Sequence, residues 1–72
     1  MDVDESVEIR LNGEPTRVAA GKSVAEMLTA IGVDPAKVAV ERNREIVPRS
    51  LLAEVRVEDS DQYEIVQFVG GG

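Results

Sequence analysis

Ser23-Val24-Ala25-Glu26-Met27-Leu28-Thr29-Ala30-Ile31-Gly32 is the stretch whose period decides the fold. Val24, Met27, Leu28 and Ile31 fall at i, i+3, i+4 and i+7, which lays a single apolar stripe along a helix. Ser23 stands just ahead of the stripe and Glu26 three residues later. That is the pattern of a capping box, in which each side chain accepts a hydrogen bond from the other residue's free backbone N–H. Gly32 supplies a left-handed stop, and Pro35 follows. Gly21-Lys22-Ser23 also resembles the end of a phosphate-binding loop. That motif needs a glycine five residues before Gly21, where Thr16 stands, so the helix cap is the better reading.

Upstream, the period is two. Val7-Glu8-Ile9-Arg10-Leu11 alternates apolar and charged residues, which predicts a strand with Val7, Ile9 and Leu11 inward and Glu8 and Arg10 outward. Asn12-Gly13 is a strong hairpin signal, and Thr16 to Ala19 makes the returning strand. Downstream, Val38-Ala39-Val40 resumes strand character and runs into Glu41-Arg42-Asn43. Asn43-Arg44-Glu45 reads as a turn, because Asn tolerates positive φ. Ile46-Val47 stops at Pro48, as an edge strand does. Arg49 to Glu54 predicts a helical turn with Leu51 and Leu52 plugging an open end of the core, and Asp59-Ser60-Asp61-Gln62 a polar turn.

The last and strongest strand is Tyr63-Glu64-Ile65-Val66-Gln67-Phe68-Val69. Tyr63, Ile65, Gln67 and Val69 share one face, with Ile65 expected to point to the helix. Glu64, Val66 and Phe68 share the other. The order β-β-α-β-β-β is that of an α+β domain with its helix on one sheet face. The opposite face is then polar or reserved for a partner. Val66 and Phe68 put apolar surface there, where the first strand shows Glu8 and Arg10, and they are read as a partner-docking patch. The expected boundaries are an unanchored acidic extension over 1–6, a domain over 7–69 and a glycine tail over 70–72.

Composition removes most chemistries. The chain has 72 residues, no Cys and no His. Thiolate nucleophiles, disulfides and the commonest metal ligands are thereby absent, and no metal site or catalytic residue is expected. An enzyme working through Asp, Glu or Lys would still need a pocket, which a domain of this size rarely encloses. The net charge of −6 argues against nucleic acid and anionic membranes and favours a partner with a basic docking surface. No apolar run reaches membrane-spanning length, so a cytoplasmic protein is expected.

The remaining candidate is the end, Gly70-Gly71-Gly72. An idle frayed terminus is the ordinary reading of such a run. Here the strongest strand leads directly into it. A terminal glycine offers an ionised α-carboxylate, with an unperturbed pKa of about 3.3–3.7, and no Cβ to hinder it. Three residues reach roughly 10 Å when extended, far enough to enter another protein's active site. A partner holding ATP could let the carboxylate attack the α-phosphate, giving an acyl-adenylate for a nucleophile to open. The carrier then contributes position.

The same residues carry a resemblance over positions 7 to 72. Leu11-Asn12-Gly13-Glu14, Val24-Ala25-Glu26-Met27-Leu28, Val38-Ala39-Val40-Glu41-Arg42-Asn43 with Ile46-Val47-Pro48-Arg49, Asp59 through Val66, and Gly71-Gly72 together resemble the β-grasp, ubiquitin-like sulfur carriers. Among these the chain is most similar to the ThiS sulfur-carrier family of thiamine biosynthesis. The resemblance implies a mixed sheet of four to five strands with one main helix on one face and a flexible glycine tail. It implies that an E1-like adenylyltransferase (ThiF-like) adenylates the Gly72 carboxylate with ATP, and that no cofactor is bound by the carrier itself. Sulfur from a donor such as a cysteine desulfurase then makes a thiocarboxylate, which a thiazole synthase (ThiG-like) accepts. Gly70 and Gly71 serve as the arm, Gly70 being one glycine more than the pattern needs. Three other readings stay open on the residues. One is a MoaD-like small subunit of molybdopterin synthase, against which the short length and Ile46-Val47-Pro48-Arg49 speak. Another is a ubiquitin-like modifier attached through Gly72. A β-grasp binding module with irrelevant glycines is a third.

Overall fold

The computed structural model describes residues 5–68. What the sequence leads one to expect of Met1 to Asp4, of Val69 and of the glycine tail Gly70 to Gly72 lies outside them. Five strands form one mixed sheet in the order β2-β1-β5-β3-β4, with β1 Ser6–Leu11, β2 Glu14–Ala19, β3 Val38–Arg42, β4 Glu45–Ile46 and β5 Gln62–Gln67. The single α-helix of the described residues, α1, spans Val24–Ala30. β1 and β2 are antiparallel, as are β3 with β4 and β3 with β5, while β1 and β5 run parallel at the centre. This is the expected α+β architecture, with the N-terminal hairpin and the last strand brought side by side.

The local signals work as their chemistry requires. Asn12 and Gly13 both take positive φ, of 51° and 86°, which a two-residue hairpin turn demands. Pro15 lies on β2, at the sheet edge, where a missing N–H costs no ladder bond. Ser23 caps α1 reciprocally with Glu26: the Glu26 N–H donates to Ser23 Oγ at 3.1 Å, and the Ser23 N–H donates to Glu26 Oε1 at 2.9 Å. The hydrogen bond from the Ser23 backbone holds the Glu26 carboxyl below its usual range. Because Ser23 is itself buried, Ser23→Ala is expected to cost about 1 kcal/mol. A thermal melt should read this as a drop of roughly 4–8 °C for a domain of this size.

The stripe behaves as predicted. Val24, Met27 and Leu28 are buried against Ile9 of β1, Val18 of β2, Val38 and Val40 of β3 and Tyr63 of β5. Ile31 ends the helix and Gly32 follows at φ 88°. The long connection from β4 to β5 closes the helix's open end. Leu52 and Val55 accept from the Ala25 and Val24 N–H groups at 2.8 and 2.9 Å, so the connection satisfies donors that a helix N-terminus leaves free.

Four expectations shift. β1 starts at Ser6, paired with Ala19, one residue into the span read as an unanchored extension. A 3-10 turn at Pro35–Lys37, capped by Asp34, precedes β3. Of the two leucines expected to plug the core, only Leu52 does; Leu51 is exposed, because the 3-10 turn at Arg49–Leu51 points consecutive residues in different directions. Asp61, read as part of a polar turn, is buried at 5% exposure.

Candidate functional site

β5 carries the chain toward the glycines, and its backbone is held from both sides. Toward β3, five residue pairs run from Val38 opposite Gln67 to Arg42 opposite Tyr63, and the Phe68 N–H still donates to Lys37 O at 3.0 Å. Toward β1 the ladder covers only Arg10 with Gln62 and Leu11 with Tyr63. There the chain turns away at Asn12, and the Asn12 side chain takes over. Its Oδ1 accepts from the Ile65 N–H at 2.7 Å, and its Nδ2 donates to Ile65 O at 3.3 Å. Asn43 does the same at the start of β5: its Oδ1 accepts from the Gln62 N–H at 2.9 Å. Both asparagines take positive φ. Their side chains thus face the strand as substitute ladder partners, a second role beyond the turn chemistry legible in the sequence.

Asp61 anchors the same end of β5. Its Oδ2 accepts from Arg42 Nε, from the Tyr63 hydroxyl and from the Glu58 N–H, each at 2.9 Å, and its Oδ1 accepts from Asn43 Nδ2 at 3.1 Å. Burial alone would raise the Asp61 pKa, but the Glu58 N–H, Arg42, Asn43 and Tyr63 together bring it below the usual carboxylate value. Burial, followed by the bond to Asp61, pushes the Tyr63 hydroxyl well up. Among the described residues no buried side-chain polar atom lacks a partner. These groups are therefore engaged in holding β5.

The two proposed docking residues lie where the alternation put them. Val66 is 63% and Phe68 55% exposed, while Ile65 packs against the core on the opposite face. The patch is larger than the two. Ala39 stands directly across from Val66, and Ile46, paired with Glu41 on the same face, is 74% exposed. Ala39, Ile46 and Val66 line one shallow depression with Glu41 and Glu64, and Ile46 and Phe68 border a second beside Pro48 and Arg49. The Arg49 guanidinium lies over the Phe68 ring, 5.6 Å from its centre. Ile46 is the residue that sequence reasoning missed. A strand of two residues has no period to show which side chain faces out; the exposure follows only from its register with Glu41.

The opposite part of this open face is polar, with Glu8 across from Arg17 and Arg10 across from Pro15. The apolar part is thus confined to the β5-β3-β4 side, adjoining the point where the chain leaves the sheet. Among the described residues no group of side chains could hold a metal ion, and no helix is long and apolar enough to cross a membrane. Gly70, Gly71 and Gly72 lie outside the described residues, so the site as seen is a platform: a pinned strand and an apolar patch at its exit.

Comparison with known proteins agrees with this architecture. The ThiS family model matches residues 9–72. The crystal structure of the thiamine biosynthesis protein (ThiS) from Geobacter metallireducens superposes with a TM-score of 0.77 at 33% identity, covering 92% of this chain and 100% of that one. The sulfur carrier protein ThiS of Escherichia coli is 35% identical over 66 residues, which are 92% of this chain and 100% of that protein. A thiazole synthase of Paramagnetospirillum magneticum is 50% identical over 66 residues, but there the chain spans only 20% of the relative's length.

Proposed function

The chain belongs to the ThiS family, and from that premise we propose that it is a sulfur carrier of thiamine biosynthesis, acting in the cytoplasm. It carries sulfur on the carboxylate of Gly72, taken as the last residue of the working chain. The observation that carries this reading is the match to the E. coli carrier over that protein's entire length, together with a family match that runs through Gly72. The chain is a co-substrate, not a catalyst. An E1-like adenylyltransferase binds ATP and the carrier. A Gly72 carboxylate oxygen attacks the α-phosphorus, pyrophosphate leaves, and an acyl-adenylate forms. Sulfide then attacks the carbonyl carbon, AMP leaves, and a thiocarboxylate remains. Where the persulfide of a cysteine desulfurase attacks instead, an acyl disulfide forms. A thiol must then cleave its S–S bond to leave the thiocarboxylate, the thiol itself ending as a disulfide with the desulfurase sulfur. Thiazole synthase accepts that sulfur. The likeness of this chain to a fifth of a protein named thiazole synthase supports a close association of carrier and acceptor.

The geometry suits the role. β5 is fixed by Asn12, Asn43 and Asp61 up to Phe68, so the folded body sets where the glycine arm begins. Glycine's backbone freedom then lets the arm follow a narrow channel. Docking through Val66, Phe68 and Ile46 places the arm, which reduces the entropy cost of presenting the carboxylate. ATP–pyrophosphate exchange by the adenylyltransferase tests the assignment: it should depend on added carrier and saturate with it. Exchange that ignores the carrier rules the assignment out. Phe68→Asp is expected to weaken adenylyltransferase binding by more than about tenfold, as for an aromatic hot-spot residue. Its melting temperature should stay close to wild type, since the ring is already exposed in the free chain.

A further inference from the structure

We propose that Glu41 and Glu64 form the charged half of the docking surface and receive a lysine or arginine side chain of the adenylating partner. The inference rests on the carrier reading above and adds the chemistry of the partner's face. Glu41 and Glu64 are direct partners across β3 and β5, both exposed on the open face. Directly opposed residues hold their Cβ atoms about 4.5–5.5 Å apart, and like charges there repel. Among the described residues neither carboxylate joins an ion pair; the ion pairs found are those of Arg42 with Glu58 and Asp61. Arg10, on the same face, is engaged with the Gly13 carbonyl at 3.2 Å. The free chain thus keeps two carboxylates in mutual repulsion at the border of its apolar patch.

A cation from outside removes that repulsion. It would sit beside the depression formed with Ala39, Ile46 and Val66. The adenylating partner is the occupant whose chemistry fits. A protein that holds the phosphates of ATP and draws in a carboxylate must concentrate cationic donors around its site. The net charge of −6 gives a cationic partner face the complementary field to meet, and Glu41 and Glu64 put two of those charges beside the apolar patch. Arg49 over Phe68 marks the other end of the patch with the opposite charge. The partner's face is therefore read in one orientation: a cation toward Glu41 and Glu64, an acceptor toward Arg49. A second copy could set its own Arg49 against the pair, but each copy carries a net charge of −6, which opposes that association.

The test compares wild type, the double variant Glu41→Gln/Glu64→Gln and Phe68→Asp. The E1-like adenylyltransferase is the titrant, at low and at raised salt, and sedimentation follows each chain alone. The double variant should unfold at a higher denaturant concentration than wild type, because the repulsion is gone. It should bind roughly three- to tenfold more weakly at low salt, with the difference shrinking as salt rises. Unchanged affinity at low salt overturns the inference, as does an unfolding midpoint that fails to rise. A wild-type dimer that dissociates in the double variant overturns it too, in favour of a second copy. If the double variant binds normally while Phe68→Asp does not, apolar docking stands and only the charged half falls. If both bind normally, docking on this face falls with it.

Discussion

Deleting Gly72 is expected to abolish sulfur loading while leaving the melting temperature unchanged. The core of the described residues is built from Ile9, Val18, the α1 stripe, Val38, Val40, Leu52, Val57 and Tyr63. On the proposed mechanism the reaction depends entirely on Gly72. Removing one residue withdraws the carboxylate by about 3.3–3.6 Å along an extended chain. A misplacement of only about 1 Å can cost on the order of 10²-fold in rate, so the loss should exceed about 10³-fold. AMP released per mole of carrier, in the presence of adenylyltransferase, ATP and sulfide, is the measurement. Melting curves of the two chains should superimpose. Undiminished AMP release from the shortened chain would place the reacting group elsewhere.

Asp61→Ala is expected to produce the largest loss of stability. The substitution strips four donors of their acceptor at once: Arg42 Nε, Asn43 Nδ2, the Glu58 N–H and the Tyr63 hydroxyl. Tyr63 is 1% exposed and has no water to turn to. Breaking a fully buried ion pair costs about 3–5 kcal/mol. Arg42 keeps some solvent contact, so about 2–4 kcal/mol is expected here. A domain of this length holds only about 4–11 kcal/mol in all, so the denaturant midpoint should fall by roughly a fifth or more. The effect also has a pH signature. The folded-state pKa of Asp61 is lowered, so its stabilisation is fully present above the unfolded value of about 3.9 and is lost as pH falls through the folded one. Wild type should therefore lose stability below about pH 4. Asp61→Asn, which cannot ionise, should start lower and show a shallower decline there.

The contrast between these sites explains what could be read in advance. The helix was legible because its information is local: the cap, the stripe and the stop lie within Ser23 to Gly32. The faces of β5 were legible because strand alternation is strict once one residue is placed, and Ile65 placed it. Asp61 was not legible. In Asp59-Ser60-Asp61-Gln62 it looks like any turn residue, and only the fold brings Arg42 and Asn43 to it from 19 and 18 positions away. Ile46 was hidden for a related reason, since its exposure depends on its pairing with Glu41 rather than on neighbours in sequence. Leu51 and Leu52 were inseparable until the 3-10 turn at Arg49–Leu51 set their directions. Asn12 and Asn43 were half read: positive φ is visible from their turn positions, but their bonds to Ile65 and Gln62 arise only across the sheet.

Intact-mass spectrometry reads the proposed sulfur on the carrier itself. The chain, ending at Gly72, is incubated with an E1-like adenylyltransferase, ATP and sulfide. The expected change is a gain equal to the replacement of one oxygen by one sulfur, confined on fragmentation to the C-terminal glycine and absent when ATP is omitted. A mass that stays unchanged with an active adenylyltransferase, or a sulfur found on any other residue, would contradict the carrier assignment.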